Sequence, residues 1–142
     1  MRALIFTAFL MAIAGSSVCA QKLSPNKVPV AVRNSFAKQY PSISVKWELE
    51  DGKYEASFVQ NGAQTSVLYD KNGNATETEV DIKITELLPA INNYVKAHYA
   101  GKKIKEASKI TTADGTVNYE AQINGQDVIF DANGNFLKQV KD

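Results

Sequence analysis

Three groups of residues in this sequence have types and spacings that could support chemistry, and the first is a lone histidine. His98 is the only histidine in the chain. A histidine base needs a nucleophile and a third group that orients it, and the sequence offers no such pair. The spacing of Ile91, Val95 and Tyr99 places His98 beside the buried face of a helix. We therefore expect an ordinary helix histidine.

The second group is a repeated pattern of acidic and amide residues. It occurs as Asp70-x-Asn72-x-Asn74 and as Asp131-x-Asn133-x-Asn135, an alternation similar to the start of a calcium loop. A calcium loop needs glycine at its sixth position, where this chain has Ala75 and Phe136. Asp and Asn side chains also bond nearby backbone N–H groups in turns, which accounts for the pattern. The sequence therefore predicts two turns, with no metal and no cofactor.

The third group is a set of glutamates that strand alternation places on one sheet face: Glu48, Glu55, Glu77 and Glu79. Paired carboxylates can serve general acid/base catalysis when burial raises the pKa of one of them. We expect this face to be exposed, and exposed acids are usually solvated. The sequence also shows no nucleophile, metal cluster or phosphate loop. We predict that the protein is not an enzyme.

The elements that position these residues are set by six Asx-Gly pairs. They are Asp51-Gly52, Asn61-Gly62, Asn72-Gly73, Asp114-Gly115, Asn124-Gly125 and Asn133-Gly134. Such a pair tolerates two consecutive positive φ angles, as a two-residue type I′ hairpin requires. The intervals between pairs each hold one strand of about eight residues. The predicted strands are 44–50, 53–60, 63–70 and 74–83, then 103–112, 116–123, 126–132 and 135–140.

The hairpins also predict which side chains share a face. The expected pairs are Leu49–Tyr54, Trp47–Ala56, Phe58–Thr65, Ala56–Val67 and Thr65–Val80, then Ile110–Tyr119, Ala121–Val128 and Phe130–Leu137. Nearly all large apolar side chains of the first four strands fall on one face. The exceptions are Val59 and Leu68. One face should therefore pack on a helix, and the other should be polar.

A helix should precede each set of strands. Val28, Val32, Phe36 and Tyr40 recur every four residues, and Pro41 ends that helix. The second helix starts at Leu88-Pro89 and ends at Ala100-Gly101. The two halves also match as text: Tyr54-Glu55-Ala56 returns as Tyr119-Glu120-Ala121, an internal duplication. The predicted fold is α+β, with two tandem repeats of one helix and a four-stranded antiparallel meander, over 21–82 and 83–142, and with the helices packed on one face of the sheet.

Residues 1–20 have the features of a secretory signal peptide. Arg2 precedes an apolar run from Ala3 to Ala14, and Val18-Cys19-Ala20 provides small residues for cleavage after Ala20. Lipidation of Cys19 is the alternative, but the preceding residues lack the leucine that such a site prefers. The apolar run is shorter than a membrane span. We predict an exported, periplasmic protein.

The remaining 122 residues contain no cysteine, so they can form no intramolecular disulfide. Without Arg2 they carry 15 basic and 15 acidic residues, a formal charge of zero. Nothing in this balance indicates binding to nucleic acid or to an anionic membrane.

Taken together, these motifs resemble a known family. A helix with a Tyr-Pro stop, strands with Tyr-Glu, and an Asp-x-Asn-Gly hairpin, all doubled behind a signal peptide, are similar to the PepSY-like periplasmic proteins. Those share the fold of the tandem-repeat beta-lactamase inhibitor protein. The resemblance implies a small exported protein whose sheets form a concave surface for binding another protein, with inhibition of that protein as one option.

The face without helices is the predicted binding surface. Leu68 beside Glu55 is repeated as Ile129 beside Glu120, and apolar groups on such a face suggest that something covers it. The candidate contact residues are Glu48, Glu55, Val59, Leu68, Glu77, Glu120, Ile129, Phe136 and Lys138. The occupant could be another protein, such as a periplasmic enzyme, or a second copy in a weak homo-oligomer. The alternative function is a periplasmic carrier for a small ligand or lipid, held between sheet and helices.

Overall fold

The computed structural model describes residues 20–141, which form one antiparallel sheet and two α-helices. The predicted signal peptide lies outside the described residues. The strands are β1 (Gln21–Leu23), β2 (Lys46–Glu50), β3 (Lys53–Gln60), β4 (Ala63–Tyr69), β5 (Ala75–Ile82), β6 (Ile104–Thr112), β7 (Val117–Ile123), β8 (Gln126–Asp131) and β9 (Phe136–Lys141).

The helices lie close to their predicted positions. Helix α1 spans Val30–Gln39 and helix α2 spans Pro89–His98, and each follows a short 3-10 helix, at Pro25–Lys27 and Ile84–Glu86. Pro89 occupies the first turn of α2, where its missing N–H costs least. Within residues 20–141, neither helix has the length and apolar character that crossing a membrane would need.

The sheet is continuous, and its nine strands lie in chain order from β1 to β9. The sequence left open whether the two sets of strands join. They do, because β5 pairs with β6 from Glu77–Thr112 to Ile82–Ala107. The sequence did not predict β1, which pairs with β2 and adds a ninth strand at one edge. The α+β class is therefore correct, with one sheet of nine strands.

Both helices pack on the same sheet face. Val32 and Phe36 of α1 join a buried cluster with Trp47, Phe58 and Val67. A second cluster unites the buried residues of α2 with β6, β7 and β8: Ile91, Val95, Ala107, Ala121, Ile123, Val128 and Phe130. The register links the two clusters, since residues paired across β4, β5 and β6 share a face. The opposite face, here named the helix-free face, carries the predicted contact residues of β3, β4 and β7.

The six Asx-Gly turns belong to two classes. Asp51, Asn61 and Asn124 have positive φ, as does the glycine after each, which fits two-residue type I′ turns. The other three turns have positive φ at the glycine alone and are three-residue loops: 71–73, 113–115 and 132–134. The prediction of six identical turns is wrong for these three.

The longer loops change two predicted pairs. Ile110 opposes Asn118, while Lys109 takes the predicted place opposite Tyr119. Phe130 opposes Phe136 and not Leu137, because the register shifts by one between Ile129 and Phe130. A shift of one residue moves a side chain to the other face of the sheet. Ile110 therefore lies on the helix-free face, and Phe136 lies on the helix side.

Candidate functional site

The helix-free face is organised as rows of side chains that cross neighbouring strands. One row contains Glu48, Glu55, Leu68, Glu77 and Thr112. The next row contains Ser57, Ser66, Glu79, Ile110 and Asn118. A third row contains Asp81, Ser108, Glu120, Ile129 and Lys138. The structure thus brings the predicted Glu55–Leu68 and Glu120–Ile129 pairs into adjacent positions on one surface.

Several acids on this face are buried, contrary to the expectation of a solvated surface. The exposed fractions are 3% for Glu55, 9% for Glu77, 4% for Glu79 and 4% for Glu120. Acidic side chains are seldom buried to this degree in proteins. The strand alternation predicted the face of these carboxyls correctly, but exposure depends on the curvature of the sheet and on what surrounds the face.

The sheet curls toward its helix-free face. Burial raises the pKa of Glu77 of β5, and Lys138 of β9 opposes this rise by charge attraction, although four strand spacings, about 19 Å in a flat sheet, separate the two strands. Lys53 of β3 acts on the same carboxyl from the other side. Side chains of distant strands therefore converge here, which is the shape that sheet twist and coiling produce. The helix-free face is the concave one.

Burial changes the titration of Glu55. Desolvation raises the pKa of Glu55 to about 7, and repulsion from Glu48 makes a smaller contribution to this rise. Ser66 and Ser57 offset part of the rise by hydrogen bonding, and the Ser57 hydroxyl donates to Oε1 of Glu55 at 3.5 Å. The Glu55 carboxyl is therefore partly protonated at neutral pH.

Glu79 is perturbed further. Burial is the main cause, and repulsion from Asp81, Glu77 and Glu55 adds to it, so that the pKa of Glu79 rises to about 8. The Ser108 hydroxyl opposes this rise, but its oxygen makes no hydrogen bond of normal geometry within the described residues. Burial also raises the pKa of Glu77, against the attraction of the two lysines. These carboxyls hold protons at a pH where solvated glutamates are charged.

The other candidate groups have structural roles. Asp70 Oδ1 accepts the backbone N–H groups of Asn72 and Asn74 at 2.8 and 2.9 Å, and Asp131 does the same in the matching loop. The side-chain amides of Asn74 and Asn135 donate to the same two carboxylates, and these bonds, together with the backbone bonds, lower the pKa of both aspartates. Among residues 20–141, no three acidic, histidine or cysteine side chains are grouped so that they could hold a metal ion. His98 is exposed and stacks on Tyr94 with ring centroids 3.9 Å apart.

Three predicted contact residues lie at the margin of the helix-free face or outside it. Val59 is on this face and 58% exposed, and Lys138 is exposed beside Ile129. The placement of Phe136 on this face is wrong. Its ring stacks on Tyr94 of α2 with centroids 5.1 Å apart. The bulge that follows the 132–134 loop is the reason.

The sequence assigned no binding role to two residues at the centre of this face. Glu79 was grouped with solvated acids, and Ile110 was predicted to pair with Tyr119, which lies on the helix side. The sequence does contain a signal for Ile110. Thr112, Asp114 and Thr116 form the hydrogen bonds of a three-residue loop, in which Asp114 Oδ1 accepts the Thr116 N–H at 2.9 Å. Side chains of this kind on both sides of an Asx-Gly pair indicate the longer loop.

Comparison with known families decides the identity of this architecture. The model of the family described as "Putative beta-lactamase-inhibitor-like, PepSY-like" matches residues 17–58 and again 52–138. The chain belongs to the PepSY-like family. No curated protein matches this PepSY-like sequence.

Solved structures share the fold of this PepSY-like chain. A "putative periplasmic" protein from Bacteroides eggerthii is 20% identical with a TM-score of 0.72, over 80% of this chain and 88% of that one. A DUF2874 family protein from Bacteroides ovatus is 22% identical with a TM-score of 0.69, over 79% and 86%. A BLIP-like protein from Bacteroides fragilis is 22% identical with a TM-score of 0.62, over 79% and 85%. At these identities the likeness concerns the fold.

Proposed function

We propose that this protein is an exported, non-enzymatic module that binds another protein through its helix-free face. The observation that carries the proposal is a set of apolar side chains on the one sheet face that neither helix covers. Leu68, Ile110 and Ile129 lie there in separate rows, each next to carboxyls. Leu68, Ile110 and Ile129 are 8%, 1% and 3% exposed, so a partner would meet this apolar lining at the mouth of the concave face. Val59, 58% exposed there, offers the apolar contact.

The proposed contact surface has a floor and a rim. Glu55, Leu68, Glu77, Glu120 and Ile129 form the floor. Glu48, Val59 and Lys138 form the rim, where Val59 and Lys138 are exposed. The recurrence of an acid beside an aliphatic residue in both halves fits a tandem duplication of one helix and four strands.

Export and inhibition belong to the same proposal. Residues 1–20 have the composition of a signal peptide, and the fold neighbour from Bacteroides eggerthii carries "periplasmic" in its name. The neighbour from Bacteroides fragilis is described as BLIP-like and shares this fold, and the description of the family contains "beta-lactamase-inhibitor-like". If the partner is a periplasmic enzyme, occupation of its active site would make the protein an inhibitor.

Affinity capture from periplasmic extract tests the proposal. The mature protein serves as bait beside two variants, Leu68→Asp/Ile129→Asp in the floor and Val59→Asp/Lys138→Glu in the rim. We expect both variants to recover much less of the specific partner. Val30→Asp is the matched control, because Val30 is 61% exposed on α1, on the opposite side of the sheet.

The rim variant keeps the test decisive if the floor variant fails to fold, since exposed positions tolerate charge. Circular dichroism checks the fold of each bait. Equal recovery of every captured protein by wild type and by the folded rim variant would remove the case for this face.

A carrier function is the second candidate, and one groove favours it. A space of about 270 Å³ opens between α1 and the segment before β2, lined by Arg33, Phe36, Tyr40, Ile43 and Trp47, among others. It lies just below the usual range of ligand pockets, about 300–1,000 Å³. A ligand held there would be small. Mass spectrometry of gently purified protein should then detect a co-purifying metabolite that Ala37→Trp excludes.

A further inference from the structure

A groove opens on the helix side of the sheet, between α1 and the loop that joins β4 to β5. Its volume is about 380 Å³, within the usual range of ligand pockets, about 300–1,000 Å³. It shares no lining residue with the groove of about 270 Å³ described above. The lining residues are Ser35, Lys38, Gln39, Tyr69, Gly73 and Ala75.

The internal duplication gives this groove a counterpart in the second repeat. A Cβ added at Gly73 would meet Ala31 of α1, and a Cβ added at Gly134 would meet Ala90 of α2. The two loops also share their pattern of hydrogen bonds to an aspartate. Each loop therefore rests on its helix at the same place, and residues can be matched between the repeats.

The matched positions differ in the size of their side chains. Four residues after the alanine in each helix, α1 carries Ser35 and α2 carries Tyr94. Directly after the loop, Ala75 begins β5 and Phe136 begins β9, and each opposes the aromatic residue that precedes its loop. The first repeat therefore has two small side chains where the second has two rings.

Those rings fill the matching space of the second repeat. Tyr94 stacks on Phe136 with centroids 5.1 Å apart and on His98 with centroids 3.9 Å apart, and it meets Phe130 edge-on at 5.4 Å. Stacked and edge-to-face arrangements are those that aromatic pairs favour. The first repeat keeps one of these aromatic positions, with Tyr69 in place of Phe130. A ligand with one aromatic ring therefore finds in the groove the place that a tyrosine ring holds in the second repeat.

The groove also has a cation that its counterpart lacks. Lys38 of α1 matches Ala97 of α2, and Lys38 forms no ion pair among residues 20–141. The Tyr69 hydroxyl donates to Gln39 Oε1 at 3.5 Å, a long hydrogen bond that a ligand oxygen could replace. An ammonium group and a hydroxyl donor in one groove suit a carboxylate, because hydrogen bonds to an ionised acceptor are stronger than neutral ones.

We propose that this groove binds a free aromatic carboxylic acid with a single ring. The ring takes the position that the Tyr94 ring has in the second repeat and packs on Tyr69, while the carboxylate pairs with Lys38. The site is separate from the helix-free face and does not depend on the proposed protein-binding function.

NMR titration of the mature protein with three defined probes tests the ring and the charge separately. The probe para-hydroxyphenylacetate has both features, cyclohexylacetate lacks the aromatic ring, and para-hydroxyphenylacetamide lacks the charge. We expect the first probe to bind with a dissociation constant of about 1 mM or below, and to shift the amide signals of Lys38 and Gly73. The other two probes should each bind at least about fivefold more weakly.

A double variant closes the groove with the side chains of the second repeat. Ser35→Tyr/Ala75→Phe reproduces the stacked pair of Tyr94 and Phe136, an arrangement that this fold already accommodates. We expect it to weaken binding of para-hydroxyphenylacetate at least about tenfold, because close-packed side chains leave no space for the ligand.

Two single variants complete the test. Lys38→Ala changes an exposed side chain and should remove the preference for the acid over the amide, which keeps the test decisive if the double variant fails to fold. Ala37→Trp is the matched control. It adds a ring at the adjacent exposed position of α1, which lines the other groove, and should bind within about twofold of wild type.

Four results would overturn the assignment of this site: no binding of para-hydroxyphenylacetate, equal affinity for cyclohexylacetate, an unchanged preference for the acid in Lys38→Ala, or wild-type binding by the folded double variant. Loss of captured protein by the double variant would assign the groove to an aromatic side chain of the partner and would also overturn it. The proposed function fails separately, when the rim variant Val59→Asp/Lys138→Glu captures the same proteins as wild type.

Discussion

Glu79 illustrates how one buried side chain couples this fold to pH. Its carboxyl is 4% exposed and faces other acids, which raises its pKa to about 8. In the unfolded chain the same group titrates near 4.5. The folded state therefore binds more protons than the unfolded state between these two values. Stability is unaffected by this group below about pH 4.5, falls as the pH rises, and levels off above about pH 8.

The substitution Glu79→Gln should remove this pH dependence. We expect wild type to lose on the order of a few kcal/mol of unfolding free energy between pH 5 and 8.5 through Glu79 and Glu55, whose pKa is also raised. The variant should lose distinctly less. Urea denaturation at several pH values measures the difference. Glu106→Gln should follow the wild-type curve, and a Glu79→Gln curve parallel to wild type would contradict the buried, protonated carboxyl.

Gly73 shows a second effect at the scale of one residue. A Cβ at this position would lie 2.6 Å from the Ala31 carbonyl oxygen and 2.8 Å from Ser35 Oγ, because the loop rests on α1. Gly62 has a similar positive φ, but nothing lies within 4 Å of its Cβ position. A substitution at Gly62 therefore tests backbone strain alone, whereas a substitution at Gly73 adds a steric clash with α1.

Alanine at these positions should give different losses. Gly62→Ala should cost about 1–2 kcal/mol, the price of a left-handed conformation. Gly73→Ala should cost roughly 1–3 kcal/mol more, because the added methyl group displaces a packed helix. Thermal denaturation of the two variants measures the difference. Equal losses would show that the loop does not press on α1.

At the scale of elements, aromatic side chains attach α1 to the sheet. The ring of Phe36 lies 5.3 Å from that of Tyr40, 5.5 Å from that of Trp47 and 5.2 Å from that of Phe58, measured between centroids. Its contacts with Trp47 and Phe58 are edge-to-face, the arrangement that aromatic pairs favour. Phe36 therefore anchors the helix to β2 and β3.

Phe36→Ala should destabilise the protein by about 3–5 kcal/mol through lost burial and the cavity left behind. Val30→Ala on the exposed side of α1 should change stability by about 0.5 kcal/mol or less. Denaturant unfolding followed by circular dichroism compares the two variants. Similar losses would mean that the aromatic cluster does not hold the helix.

At the scale of the whole molecule, the pairing of β5 with β6 joins two sets of strands into one sheet. Each set of strands with its helix contains about 60 residues. A domain of that size buries a smaller share of its surface on folding and is only marginally stable alone. Six residue pairs connect them, from Glu77–Thr112 to Ile82–Ala107. The two hydrophobic clusters thus lie on the same face of one continuous sheet.

The mature chain should therefore unfold in a single transition. Trp47 is the only tryptophan and belongs to the first cluster, so its fluorescence reports on that half. Far-ultraviolet circular dichroism reports on both halves. We expect coincident denaturation midpoints from the two signals, as two-state unfolding requires. Two separate midpoints would show that the halves unfold independently.

Much of this fold was predictable from local patterns. The spacing of Val32 and Phe36 and the Pro41 stop predicted α1 to within a residue or two. Two-residue turns at Asp51-Gly52 and Asn61-Gly62 predicted the register of β2, β3 and β4 correctly. Both features depend on residues close together in the chain, which is why sequence reasoning could reach them.

The Asx-Gly pair alone does not distinguish a three-residue loop from a two-residue turn, although both are local features of the chain. Each three-residue loop places a single positive φ at its glycine, and the residues flanking the pair decide its length. Because one extra residue reverses the faces that follow, Ile110 and Phe136 were assigned to the wrong sides. For this reason the predicted contact residues did not include Ile110, which lies at the centre of the helix-free face.

The sequence by itself determined the two helices, the hairpins and the alternation that puts Glu55 and Leu68 on the face away from α1, because each follows from backbone preferences over a few residues. Only the tertiary structure decided that the strands form one curved sheet and that Glu79 becomes a buried, protonated carboxyl. Curvature and desolvation arise from side chains that are distant in the chain, and no local pattern encodes their distances.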